Sequence, residues 1–129
     1  MESNGRTVVA DFEAGIGTLT RMQPGDVDAV LVIVEPTPKS IEVASRAADL
    51  ARERSLGRIL VVANRVRDAA DVDRIRAALP GHHVVAVPDD PAVLQAEREG
   101  VAPLDQSPRA PAVQALVDLA ESLVKVGAA

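Results

Sequence analysis

At 129 residues and 47% hydrophobic content, the chain is long enough for one domain with one core. Its lone aromatic, Phe12, leaves Val, Ala, Leu and Ile to fill that core. The formal net charge is -5, and twelve of the fourteen basic residues are Arg scattered along the chain, which argues against a nucleic-acid partner held by a basic stripe. The absence of cysteine excludes disulfides, thiolate metal sites and a Cys nucleophile together.

The polar leader MESNGRT runs directly into an apolar stretch, so no secretory signal is expected and a cytoplasmic location follows. The longest apolar run, Ala29 to Val34, is far shorter than the roughly 18 residues of a membrane span, so no membrane partner is expected. Apolar runs at Thr7 to Ala10, Ala29 to Val34, Ile59 to Ala63 and Val84 to Val87 are continuous rather than alternating. That is the pattern of parallel strands buried on both faces.

Helices are expected between and after these runs. Pro38 to Arg54 places Ile41, Ala44, Ala48 and Ala51 on one face, with Gly57 closing the helix. Ala69 to Leu79 follows Asp68 as cap and stops at Pro80-Gly81. Pro91 to Glu99 follows Asp90 as cap, with Pro91 at its first position. Val101 to Pro111 reads as a loop, and a last helix carries Val113, Leu116, Val117, Ala120, Leu123 and Val124 on one stripe. Alternation of this kind predicts an α/β fold: a three-layer sandwich with a mainly parallel sheet of about four strands and right-handed crossovers, in a single domain.

Each expected strand ends in a polar residue: Asp11, Glu35, Asn64, and Asp89 with Asp90. In open parallel sheets the carboxyl ends of the strands form the ligand crevice, although loop chemistry alone also puts polar residues there. The segment DFEAGIGTLTR, Asp11 to Arg21, is the most specific piece. A carboxylate at a strand tip followed by Ala14-Gly15 suits an acid reaching a hydrated metal while a glycine amide approaches a phosphate.

The ordered set DFEAG, VLVIVEPTPKSIEVASRAADLA, ILVVANRV and VVAVPDDPAVLQAEREG resembles the P-loop ATPases of the MinD and ParA group, and within it most resembles the ATPases that mature carbon monoxide dehydrogenase (CooC-like). The resemblance runs from about Thr7 to Val124. It implies a nucleotide site for ATP or ADP with magnesium. By that resemblance Asp11 matches the acid supporting magnesium through water, and Gly15 the switch glycine near the terminal phosphate. Glu35 and Pro36 match the turn after the next strand, and Ser40 opens a partner-facing helix that reports nucleotide state. Asn64 matches the asparagine that reads the adenine edge, and Pro88 with Asp90 the loop against which the base packs.

The family's glycine-rich phosphate loop, with its lysines and Thr, has no counterpart here: neither Asn4-Gly5-Arg6 nor Gly15-Ile16-Gly17 is followed by Lys. In this fold that loop's strand lies between the strands corresponding to Thr7 to Ala10 and Ala29 to Val34. Without it, two strands are left with unpaired backbone groups, and either they pair directly or another chain donates the strand. The resemblance therefore implies a truncated or split ATPase domain that contributes adenine recognition and switch residues. Such a domain is not catalytically competent alone, and its partner would be an N-terminal half supplying the loop. The family's habit of nucleotide-bridged dimers adds a homodimer to the expected partners. The competing expectation is a non-catalytic protein-interaction module that keeps the fold. Family maturation ATPases use a Cys pair for metal, and this chain has none, so metal carriage is not expected.

Two weaker signals complete the reading. His82 and His83 point to opposite faces and are expected to be solvated rather than to share a metal. Arg65 and Arg67, beside Asp68 and Asp71, are expected to form solvated ion pairs.

Overall fold

The computed structural model describes residues 6–12 and 17–128, with side chains through Val124. Its elements run α1 (Gly17–Arg21), β1 (Ala29–Val34), α2 (Pro38–Glu53), β2 (Arg58–Val66), α3 (Ala69–Ala78), β3 (His83–Pro88), α4 (Pro91–Glu99), α5 (Pro103–Gln106) and α6 (Pro111–Ala128). The sheet is parallel, in the order β1-β2-β3.

Alternate residues of each strand point to opposite faces, and each face buries a different set of helices. Val32, Val34, Val61, Ala63, Val66 and Val84 pack with Ile41, Ala44 and Ala48 of α2 and with Ile75 and Leu79 at α3. On the other face Leu60, Val62 and Val87 pack with Ala112 and Leu119 of α6. Small Ala side chains let α2 lie close to the sheet, which is how a core without aromatics closes.

Three expectations need correction. Thr7 to Ala10 is not a strand: residues 6–12 form no regular element, and Val8 and Val9 are exposed. The sheet among the described residues therefore has three strands, and direct pairing of Thr7 to Ala10 with β1 does not occur. An apolar run becomes a strand only where a neighbour accepts its hydrogen bonds. Gly57 does not close α2, which is capped at Arg54, with Ser55 taking the left-handed turn at φ 54. Gly57, at φ 104, serves another purpose: a Cβ there would lie 2.6 Å from the Asp28 carbonyl oxygen, so the glycine admits the backbone leading into β1. The Val101 to Pro111 stretch contains the short helix α5, which has no apolar stripe to reveal it.

β1 is unlike its neighbours. β1 and β3 are both edge strands among the described residues, but β1 is open on one face as well. On the α6 face, Leu31 and Ile33 sit beside Leu60 and Val62 in register but are 37% and 56% exposed.

Candidate functional site at the carboxyl ends of the strands

Because the strands are parallel, Glu35, Asn64 and Pro88 come to one edge of the sheet, where α2, α3 and α4 begin. At β1, the Glu35 amide donates to Ser40 Oγ at 2.9 Å, while the Ser40 amide donates to the N-cap Thr37 Oγ1 at 3.3 Å. Ser40 thus lies in the first turn of α2 and ties that helix to the end of β1.

At β2, the ladder with β3 is interrupted between Asn64 and Val66: Asn64 pairs with Val87, and Val66 with Pro88. Arg65 occupies this bulge with φ 59, an unusual conformation for a residue with a side chain. Its guanidinium spans the sheet edge, donating through Nε to Asp89 Oδ1 at 3.4 Å and through Nη1 to Glu35 Oε1 at 3.3 Å. Asp89 first, and then Glu35, hold the Arg65 pKa above its ordinary value. Asn64 is half-buried, and its carboxamide has no hydrogen-bond partner among the described residues.

At β3, the Asp89 amide donates to the Val66 carbonyl at 2.9 Å. Both Asp90 carboxylate oxygens are engaged: Oδ1 accepts from the Ala92 amide of α4 and Oδ2 from the Ala112 amide of α6, each at 3.0 Å. The Ala112 amide, then the Ala92 amide, lowers the Asp90 pKa below the usual carboxylate range. Asp90 is a double helix cap in this structure.

Of the sequence candidates, the fold brings Glu35, Pro36, Asn64, Pro88 and Asp90 to one edge, with Ser40 behind it. Asp11 is exposed and follows no strand, and Gly15 lies outside the described residues. Among the described residues no group of three His, Asp or Glu side chains is placed to hold a metal ion. Sequence reasoning missed the Glu35–Arg65–Asp89 bridge, although a basic residue at one strand end, with acids ending both neighbouring strands, is a readable sign once the strand order is known. Arg67 pairs with Asp71 at 3.4 Å, but not as the solvated pair expected. Asp71 itself is buried, and the Arg67 backbone amide is the main cause of its lowered pKa. His82 departs from expectation: its side chain is buried and lies 3.1 Å from Asp49 Oδ1, whereas His83 is exposed.

A donor-acceptor carboxamide without an internal partner, at the ligand edge of a parallel sheet, fits the edge of a purine base. The described residues build no phosphate cradle and no magnesium site beside it.

No family model matches the chain. Carbon monoxide dehydrogenase accessory protein CooC of Rhodospirillum rubrum is 29% identical over 78% of this chain and 39% of its own length. An uncharacterized ATP-binding protein of Methanocaldococcus jannaschii is 28% identical over 91% of this chain and 46% of its own. Among solved structures, MinD in the MinC:MinD cell division complex of Aquifex aeolicus has a TM-score of 0.63 and 24% identity, over 76% of this chain and 43% of that one, a likeness of fold. The chain spans less than half the length of these relatives. Over that span the chain is similar to MinD/ParA-like P-loop ATPases of the CooC-like kind.

Proposed function

We propose that this domain forms the base-recognition side of an ATP-binding site, and that polypeptide outside these 129 residues supplies the phosphate-binding strand, loop and helix. Asn64 carries the reading: its carboxamide sits half-buried at the ligand edge with no partner among the described residues. It offers one acceptor and a donor pair, the complement of the adenine N6 and N7 edge. Pro88 supplies an apolar wall nearby. Asp11 and Gly15 serve as the switch residues only together with that outside segment, which supplies the phosphate and magnesium contacts.

The bare side of β1 supports the same reading. Strands lie about 4.8 Å apart and a helix is about 10 Å across, so one helix covers about two strands. α6 covers β2 and β3, leaving Leu31 and Ile33 of β1 partly uncovered beside an edge that is unpaired among the described residues. One further strand and one further helix would complete that layer. Ser40 then links the site to a partner: it accepts the Glu35 amide, so a ligand that moves Glu35 moves the start of α2. Hydrolysis depends on the outside segment, because electrostatic stabilisation of the transferring phosphoryl group resides there.

Calorimetric titration with ATP and ADP in magnesium, beside Asn64→Ala, tests the reading. Binding that is weakened about tenfold or more in the variant supports a working base site. Binding that ignores the substitution removes Asn64 from the site. The second reading, a non-catalytic interaction module, is favoured by the open β1 edge. Saturable binding of a strand-and-helix partner, with no nucleotide response in the complex, would support it.

A further inference from the structure

Among the described residues, the Glu35–Arg65–Asp89 bridge is the one polar network that joins all three strand ends, and base recognition gives it no role. Its central residue is unusual twice over. Arg65 takes a left-handed backbone conformation that a side chain disfavours, and it does so at the bulge that separates Asn64 from Val66. A bulge re-aims the side chains beside it. The conformation persists where surrounding contacts over-determine it, and the contacts that hold Arg65 are the two carboxylates on the flanking strands, at 3.3 and 3.4 Å. Neither carboxylate is local in sequence, so the bridge reports that all three strands are in place.

We infer that Arg65 is a positioning residue for adenine recognition: gripped by Glu35 and Asp89, it fixes the bulge and thereby aims the Asn64 carboxamide at the ligand edge. The inference rests on the base-recognition reading, and it specifies what chooses the base. The guanidinium also neutralises acids that would otherwise repel an anionic nucleotide. Arg suits this place better than Lys because its planar fork can meet two carboxylates at once.

Arg65→Gly separates the two properties, since glycine tolerates the left-handed backbone while losing the bridge. The double variant Glu35→Gln with Asp89→Asn keeps Arg65 and removes its charged partners. Two readouts are needed on each protein: the ratio of ATP to GTP affinity by calorimetry, and the order of the Asn64 side-chain amide by heteronuclear NOE without nucleotide. The expected result is a fall of about fivefold or more in the ATP preference and a mobile Asn64 amide in both variants, with Arg65→Lys intermediate. An Asn64 amide as ordered as in the parent protein, with the base preference intact, overturns the inference, and so does a lowered melting temperature alone. If the parent protein binds no nucleotide, or Asn64→Ala leaves the preference unchanged, the base-recognition reading fails by that result. The NOE measurement then decides separately whether Arg65 positions Asn64.

Discussion

The two ends of the sheet differ although their strands share one kind of sequence. β3 lies under α6, and Asp90, two residues past its end, caps both α4 and α6, so the end of that strand is closed by packing and by backbone hydrogen bonds. β1 has the same continuous apolar run, yet only its α2 face is buried, by Val32 and Val34. Its other face shows Leu31 and Ile33; the outer edges of both strands are unpaired among the described residues, so the difference lies in the face. A strand built for burial on both faces has thus found cover on one. On the proposed function, the difference makes β1, rather than β3, the side on which the phosphate-binding segment would dock.

The sharpest test of this contrast compares two leucines that are partners in register. Leu60 is 1% exposed beneath α6, and Leu31, one strand away on the same face, is 37% exposed. Leu60→Ala is expected to cost about 3 kcal/mol or more, because it leaves a cavity. Leu31→Ala is expected to cost under about 1 kcal/mol, because its side chain has little cover to lose. Urea unfolding followed by circular dichroism measures both, and equal costs would mean that the β1 face is packed in solution.

Gly57→Ala addresses how β1 is held to β2 at all. The added Cβ would stand 2.6 Å from the Asp28 carbonyl oxygen, which also accepts the Arg58 amide at 3.0 Å, and φ is 104. A loss of about 2 kcal/mol is expected from the clash and the disfavoured backbone together. Amide exchange should speed up in β1 before β3, which would make β1 the less firmly held end. Uniform acceleration across the sheet would contradict that order.

The smallest effect is expected from pH. Asp90 is held below its usual carboxylate value by the Ala112 and Ala92 amides, Asp71 by the Arg67 amide, and Asp49 by its hydrogen bond to His82. With folded pKa values depressed, the unfolded chain takes up protons first as the solution is acidified. The stabilisation is therefore complete above the ordinary aspartate range and lost as pH falls through it to the lower folded values. Asp90→Asn should flatten the acid limb of stability against pH, and α6 should loosen first. An unchanged limb would show that the double cap is not a charge effect.

Much of the fold was legible because its signals are local. Continuous Val and Ile runs marked β1 with its true bounds, and Asp90-Pro91 marked the start of α4. The residues that misled are those whose fate depends on distant neighbours. Thr7 to Ala10 has a strand's composition but no pairing partner here. His82 looks like loop chemistry until Asp49, on α2, meets it. At the candidate site, the strand-end positions of Glu35, Asn64 and Asp90 follow from alternation alone. The bulge at Arg65, and its grip on carboxylates 30 and 24 residues away, do not, since no pattern within one strand specifies a bridge across three.

The open edge of β1 also bears on colloidal behaviour. A row of amides and carbonyls unpaired among the described residues and flanked by exposed Leu31 and Ile33 is a template on which identical chains can stack, and AVLVIV holds no charge to interrupt the stacking. Asp28 and Glu35 stand at its two ends as charged gatekeepers, and the net charge of -5 adds mutual repulsion. The isolated chain should accordingly stay dispersed in dilute buffer of low ionic strength and become prone to aggregation as salt screens those charges. A segment docked on β1 would remove that sensitivity along with the edge.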